Sequence, residues 1–268
     1  MAINALQSAS SALSAMNTAL DVTANNLANI NTAGFKSSRV NFQDLLYIEK
    51  AQAGTQNAIQ DTRPIGHYVG LGVRASGTQL DFTQGSSLTT GRPLDAMIQG
   101  QGFFQVQVED NLGGGVAYTR AGNFTLNRDG ELVLANDVGR RVVPPVVIPP
   151  NADQVTIASN GDVTYTTTED SAPQTAGTLE LATFVNPAGL KQVGENLYVV
   201  TDGSGPATTG TPGTDNRGSL LQNFLEASNV DPTRELIGLI QTQRAFEMNS
   251  QSIRAADDTL RAVAQLRR

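Results

Sequence analysis

Apolar residues spaced seven apart mark both ends of this 268-residue chain. The repeated positions are Leu6, Leu13, Leu20 and Leu27 near the start, and Leu239, Phe246, Ile253 and Leu260 near the end. An apolar residue at every seventh position, with further apolar residues between, is the pattern of helices that pack side by side along a seam. Two seams of equal period predict that the ends of the chain pair as a coiled coil, with the middle bulging out between them.

The first helix is predicted from Ala2 to about Ile30, because neither Gly nor Pro interrupts the repeat there. Gly34 follows in the sequence Asn-Thr-Ala-Gly and suits the left-handed conformation that often ends a helix. Asn25, Asn26 and Asn29 lie near this end. A polar residue at a helix seam fixes the register of the partners at some cost in stability, so these three are predicted to set register.

The second helix has a well-marked start. Asp231 can cap it, Pro232 suits the first helical position, and Glu235 complements the positive end of the helix dipole. No Pro follows from Thr233 to about Leu266, so one helix is predicted there. An amphipathic helix that lies on the core of its own domain is an equally good interpretation of this pattern alone.

The residues between the helices read as strands and turns, which predicts an α+β fold with a central all-β domain. Asn127–Gly130 and Asn160–Gly161 sit between short runs rich in Val, Leu and Thr, and each is typical of a hairpin turn. The predicted division is 1–34 for the first coiled-coil helix, 35–65 for a linker or insert, 66–228 for the β domain and 229–268 for the second coiled-coil helix.

Composition excludes several classes of function. The formal net charge is −7 and no cluster of Lys and Arg exists, which argues against binding nucleic acid. There is no Cys, so disulfides and thiolate chemistry are excluded. The first basic residue is Lys36, and polar residues interrupt every turn before it. The sequence therefore predicts neither an ordinary cleaved signal peptide nor insertion in a membrane.

No residue pattern supports catalysis, a cofactor or a metal ion. His67 is the only histidine, and it is predicted to be a structural loop residue because it has no partner of its kind. Residues 127–131 loosely resemble a calcium loop, but a tight turn explains Asn127, Asp129 and Glu131 more simply. Glu169 and Asp170 are neighbours that would point to opposite sides of an extended chain. We predict no catalytic, cofactor-binding or metal-binding residue.

Several motifs closely resemble those of the bacterial flagellar rod and hook proteins, a family of axial building blocks. The first is the Asn-rich helix end at 24–36, Ala-Asn-Asn-Leu-Ala-Asn-Ile-Asn-Thr-Ala-Gly-Phe-Lys. The others lie at 42–47, 100–104, 118–124, 195–198, 226–231 and 241–247, so the resemblance runs from end to end. The segment that begins Phe-Gln-Asp-Leu-Leu-Tyr and runs to about Pro64 is similar to an insert of the distal rod subunit.

The resemblance implies a structural subunit of the distal rod in the flagellar basal body, and not an enzyme. Such a protein polymerises with itself into a rigid tube that crosses the periplasm, transmits torque to the hook and conducts exported subunits. The implied partners are other copies, other rod and hook subunits and the surrounding bushing rings, with no cofactor and no nucleic acid. Export would use the flagellar type III channel without a cleaved signal.

Two alternatives stay open at this point. The chain could be another axial subunit of the same family, from the proximal rod or a short hook-like protein. It could also be a secreted β-domain enzyme or adhesin, in which the helices are only packing elements. The residues predicted to form the assembly seam are the eight heptad positions together with Asn25, Asn26 and Asn29.

Overall fold

A computed structural model describes residues 2–55, 62–167 and 172–266. Helix α1 spans Ala2–Ala28 and helix α2 spans Pro232–Leu266. Both lie within two residues of the predicted bounds, and α2 packs against α1. β structure fills the described residues between them, so the α+β prediction is confirmed. The adjacent carboxylates Glu169 and Asp170 lie outside the described residues.

Short strands make up the middle of the chain. They are β1 Ser38–Asp44, β2 Tyr47–Ala51, β3 His67–Gly70, β4 Val73–Leu80, β5 Ser87–Thr89, β6 Ala96–Gln99, β7 Phe103–Gln107, β8 Val116–Thr119, β9 Phe124–Leu126, β10 Leu132–Leu134, β11 Ala152–Ile157, β12 Asp162–Thr167, β13 Gln174–Thr178, β14 Leu181–Thr183, β15 Lys191–Gly194, β16 Leu197–Val199, β17 Thr208–Gly210, β18 Ser219–Gln222 and β19 Phe224–Glu226. Both predicted hairpins are confirmed, since β9 pairs with β10 and β11 with β12, each antiparallel.

The chain divides into two compact units. The helical unit is formed by the described residues of 1–28, 38–80 and 231–268, and the β unit by those of 29–37 and 81–230. The segment 35–65, predicted to be a linker or insert with no clear period, contributes β1 and β2 to the helical unit. Strand β1 pairs with β4, and β2 pairs with β3. The segment is therefore hydrogen-bonded to strands that come later in the sequence. The predicted domain boundaries themselves stay a prediction.

In the helical unit, α1 packs against both α2 and the β1–β4 pair. Gly72 lies beside the helix with a φ of +120°, and a Cβ built there would lie 2.1 Å from the Ser11 hydroxyl oxygen. Only glycine permits this approach. The Ser11 Oγ in turn accepts a hydrogen bond from the backbone N–H of Val73 at 3.3 Å. The start of β4 is thereby fixed against one turn of α1.

A six-stranded sheet dominates the β unit, in the order β15-β16-β8-β7-β14-β17. Alternate residues of its strands point into an apolar core, as period-two patterning requires. Phe104 on β7 and Phe124 on β9 lie at the centre of this core with their rings edge to face, 5.1 Å apart, and neither is exposed. The sequence 127–131 forms the expected tight turn: the Asn127 Oδ1 accepts hydrogen bonds from the backbone N–H groups of Asp129 and Glu131, each at 2.9 Å.

The β unit also contains a buried charge cluster of Lys36, Arg120 and Glu226. The Glu226 Oε1 accepts from the Lys36 ammonium at 2.6 Å, and its Oε2 accepts from the Arg120 guanidinium at 3.3 Å. The backbone N–H of Gly85 adds a third bond to this carboxylate at 2.9 Å. Burial lowers the pKa of Lys36, and the Glu226 carboxylate opposes that shift. Two cations thus share one carboxylate in the interior.

Candidate assembly interface of the terminal helices

Asn26 joins three elements of the helical unit. Its Nδ2 donates to the Ser38 carbonyl oxygen at 2.8 Å and to the Glu235 carboxylate at 3.2 Å. Its Oδ1 accepts from the Ser38 backbone N–H at 3.0 Å. The side chain is only 2% exposed, so these bonds lie mostly out of water, where a lost partner is costly. Asn26 therefore ties α1 to the start of β1 and to the first turn of α2.

The first turn of α2 is capped as the sequence predicts. The Asp231 Oδ1 accepts from the backbone N–H of Thr233 at 2.9 Å and from that of Arg234 at 3.3 Å. Pro232 follows it at the first helical position, where a missing N–H costs nothing. Glu235 lies one turn further on and faces Asn26. Burial raises the pKa of Glu235, the Asn26 hydrogen bond opposes that shift, and the nearby Asp231 charge reinforces it.

Each predicted seam residue can be placed, except that the side chain of Leu260 lies outside the described part. Those of the remaining heptad positions are half-buried: Leu6, Leu13, Leu20, Leu27, Leu239, Phe246 and Ile253. Of the asparagines, Asn26 is buried, Asn29 is half-buried and Asn25 is exposed. The most buried residues of α1 besides Asn26 are small, namely Ala9 and Ala15. Small side chains let neighbouring backbones approach closely.

Contact with α1 leaves much of α2 exposed. Among the described side chains of this 35-residue helix none is buried. Four large apolar side chains lie mainly on the side away from Phe246 and are 46–62% exposed: Leu236, Ile237, Ile240 and Met248. At 3.6 residues per turn, Met248 lies within about 20° of Ile237 and about 160° from Phe246 around the helix. We call these four residues the outer apolar face of α2.

Sequence reasoning found only part of this face. Beside its seven-residue repeat, the sequence of α2 has an apolar stripe that includes Leu236 and Ile240, whereas Ile237 and Met248 fall outside this stripe. The missed signal is a spacing of eleven residues between Ile237 and Met248, which returns to the same side of a helix after three turns. A search restricted to a period of seven does not detect it.

The remaining candidate for chemistry that the structure describes is His67. His67, expected in a loop, instead begins strand β3, because its backbone pairs with Ala51 of β2. Across residues 2–55, 62–167 and 172–266, no group of His, Asp and Glu has an arrangement that could hold a metal ion. Over the same ranges, no helix combines the length and the apolar character needed to cross a membrane.

Comparison with known families matches three segments of the chain. Residues 6–36 match the family described as flagella basal body rod protein. Residues 97–165 match the D1 domain of the flagellar hook protein FlgE/F/G. Residues 221–266 match the C-terminal region of the flagellar basal body rod FlgEFG proteins. The first and last segments contain most of α1 and α2.

Whole-length relatives agree with these matches. The flagellar basal-body rod protein FlgG of Caulobacter vibrioides is 42% identical over 266 residues, which is 99% of this chain and 100% of the relative. The FlgG of Bacillus subtilis is 38% identical over 99% of this chain and 100% of its own length. The chain belongs to the flagellar basal-body rod protein family. As a member it is a structural rod subunit and not an enzyme.

The buried charge cluster joins the three matched segments. Lys36, Arg120 and Glu226 each lie in a different one of the three matched segments. The last residues of the first segment and the first residues of the last segment thus meet inside the β unit. The sequence motifs carry these residues, but nothing in their spacing shows that they meet.

Proposed function

We propose that this rod subunit assembles by pairing α1 with α2 as a coiled coil and by covering the outer apolar face of α2 with neighbouring copies. The exposure of that face is the observation that carries the proposal. Side chains that are about half exposed gain on the order of 1 kcal/mol each when they are buried. Repeated along a polymer, contacts of this size add up, although a single pair of copies gains little from them.

The predicted seam residues have two roles in this proposal. The half-buried leucines of α1 and the residues Leu239, Phe246 and Ile253 of α2 line the helix pair. Leu260 continues the same repeat, and Asn25 and Asn29 lie near the end of α1. Asn26 sets the register, which its bonds to Ser38 and Glu235 support. A contact between different faces of successive copies produces a helical assembly when its rotation does not close into a ring, and we propose that this is the case here.

Within the rod we assign the chain to the distal part. The segment 35–65 resembles the insert of the distal subunit, and its strands β1 and β2 are part of the helical unit. Of two rod proteins of Caulobacter vibrioides, FlgG is more similar to this chain than FlgF: FlgG is 42% identical over 99% of this chain, and FlgF is 34% identical over 85% of it.

The partners we propose are other rod and hook subunits and the surrounding bushing rings. Export without a cleaved signal stays a prediction.

Three variants of the full-length chain test the assembly proposal. Met248→Asp places a charge on the outer apolar face, Leu27→Asp places one in the helix pair, and Val147→Asp adds the same charge at an exposed apolar position of the β unit. We expect Met248→Asp to keep the helix content but lose tube formation, and Leu27→Asp to lose both. Val147→Asp should behave as the unmodified chain. Circular dichroism measures helix content, and sedimentation with negative-stain microscopy measures tubes.

Tube formation by Met248→Asp at the concentration that suffices for Val147→Asp would contradict the proposal. A chain that forms no tubes in any variant, the unmodified one included, and that fails to restore motility to a strain lacking its own rod subunit, would contradict the function itself.

A further inference from the structure

Methionine is the side chain of this sequence that dilute hydrogen peroxide oxidises most readily. The chain has four methionines, no cysteine and no tryptophan. Oxidation of the thioether sulfur gives a sulfoxide, which turns a flexible apolar side chain into a polar one and disrupts apolar contacts. The surroundings of each methionine therefore decide what a peroxide does to this protein.

The methionines differ widely in their access to water. Met97 on β6 is 3% exposed, Met16 on α1 is half-buried, and Met248 on α2 is 62% exposed. Met1 lies outside the described residues. Oxidation requires the oxidant to reach the sulfur atom, so we expect Met248 to be oxidised before Met16 and Met97.

Met248 also lies on the surface that, in the proposed function, neighbouring copies cover. It is the most exposed of the four residues of the outer apolar face, the others being Leu236, Ile237 and Ile240. The side chains of those three residues are aliphatic, so none of them can donate a hydrogen bond to an oxygen atom placed on Met248.

A sulfoxide at Met248 would affect the free subunit and the polymer differently. In the free subunit the sulfoxide oxygen accepts hydrogen bonds from water, because the side chain is exposed. Beneath a neighbouring copy the same oxygen would lose that water, and burial of a polar group without a partner is unfavourable. The modification therefore opposes assembly without opposing the folding of α2.

We infer that Met248 is an oxidation switch for assembly: a peroxide oxidises its sulfur in the free subunit and thereby keeps neighbouring copies off the outer apolar face. The inference rests on the proposed function and adds a means of regulation to the same surface. In the chemical step, the sulfur lone pair attacks one oxygen of hydrogen peroxide and the O–O bond breaks. The products are the sulfoxide and one molecule of water, so the sulfur loses the two electrons that the peroxide gains.

Partial oxidation of the unmodified full-length chain tests the inference within one sample. Dilute hydrogen peroxide is removed with catalase while some Met248 is still reduced, and the chain is then sedimented at a concentration that gives tubes without treatment. Mass spectrometry should find the ratio of sulfoxide to thioether at Met248 at least tenfold higher in the supernatant than in the pellet, which corresponds to about 1.4 kcal/mol. Equal ratios in the two fractions would overturn the inference.

Two variants assign the effect to one sulfur atom. Met248→Leu removes that sulfur and keeps an apolar side chain of similar volume, and Met16→Leu is the matched change on α1. Peroxide should raise the concentration for half-maximal assembly at least tenfold in Met16→Leu. In Met248→Leu it should leave that concentration at the value measured before treatment, whatever that value is. An equal response of the two variants would place the effect elsewhere and refute the inference.

Reduction should reverse the effect in the unmodified chain. Methionine sulfoxide reductases with dithiothreitol return the sulfoxide to the thioether, and the dithiol becomes a disulfide while the oxygen leaves as water. We expect assembly to return with the thioether of Met248, and circular dichroism to show the same helix content before and after oxidation. A loss of helix content on oxidation would mean that folding, and not the outer apolar face, is the sensitive step.

Assembly should in turn protect the sulfur. In preformed tubes we expect Met248 to be oxidised at least tenfold more slowly than in the dilute chain. An equal rate would show that no copy covers the outer apolar face, which contradicts the proposed function as well as this inference. If the untreated chain forms tubes and the oxidised chain joins them equally well, this inference alone fails.

Discussion

The two compact units differ most in how much of each is shielded from water. The β unit contains a contiguous apolar core around Phe104, Phe124 and Ile98, none of which is exposed. In the helical unit, the buried residues among the described side chains are Ala9, Ala15 and Asn26. The described large apolar residues of its two helices are half-buried or exposed. The β unit has the core of a self-sufficient domain, whereas the helices of the helical unit retain apolar surface that is exposed to water.

This difference assigns separate tasks to the two units. Burial of apolar area is the main favourable term in folding, so the stability of the β unit resides within one chain. The helices of the other unit gain theirs from packing, as helices generally do, and in the assembly we propose part of that packing comes from other copies. A subunit built in this way can keep a folded β unit while the apolar surface of its helices is not yet covered by neighbouring copies.

The largest expected effect is a loss of stability in the β unit. Glu226→Gln removes the carboxylate that pairs with both Lys36 and Arg120 in their buried cluster. Removing one partner of a buried ion pair typically costs about 3–5 kcal/mol, because the other charge is left buried. We expect the urea midpoint of the β unit to fall accordingly, measured by near-ultraviolet circular dichroism of its tyrosines.

Glu195→Gln is the matched control for that measurement. Glu195 pairs with Arg140 at 2.8 Å, but its side chain is 36% exposed. An exposed pair contributes about 0–1 kcal/mol, so this variant should unfold near the unmodified midpoint. Equal midpoints for the two variants would show that the buried cluster contributes no more than a surface pair.

A smaller effect is expected when the helical unit loses Asn26. Asn26→Ala removes an acceptor from the Ser38 N–H and a donor from both Ser38 and Glu235. Partly buried groups left without partners cost about 1–3 kcal/mol. Amide hydrogen exchange, read by mass spectrometry, should speed up in α1 and in the first turn of α2, and stay unchanged in the β unit.

Asn17→Ala controls for the change in helix propensity. Asn17 is exposed on α1, and alanine favours a helix by a few tenths of a kcal/mol, so exchange there should slow slightly. If Asn26→Ala slowed exchange as well, the bonds of Asn26 would not stabilise the unit.

The sequence predicts those parts of the molecule that depend on neighbouring residues. The helix bounds, the Asp231 cap and the turn at Asn127 all follow from residues within a few positions of one another. The buried cluster could not be predicted in this way, because Lys36 and Glu226 are 190 positions apart. The pairing of β1 with β4 was missed for a related reason: Ser38 pairs with Leu80, far along the chain. Seam positions were named from the seven-residue repeat, whereas Ile237 and Met248 of the outer apolar face are eleven residues apart.

The two units should also respond to acid in opposite ways, which is the smallest effect expected. Arg140 donates to Glu195 in the β unit and so lowers the pKa of that carboxyl. Burial raises the pKa of Glu235 in the helical unit. The contribution of Glu195 to stability is therefore present above the usual glutamate pKa of about 4.3 and is lost as pH falls through its lowered value. That of Glu235 is present below about 4.3 and is lost as pH rises through its raised value.

Carbon-13 NMR of the two carboxyl groups in dilute full-length chain measures this difference directly. Glu235 should titrate at a higher pH than Glu195, and hydrogen exchange in the first turn of α2 should slow as pH falls through the Glu235 titration, after correction for the intrinsic rate. Glu235→Gln should abolish that slowing and leave the Glu195 titration in place. If Glu235 titrates below Glu195, its carboxylate is better solvated than its contact with Asn26 implies, and the helix pair is open at that end in solution.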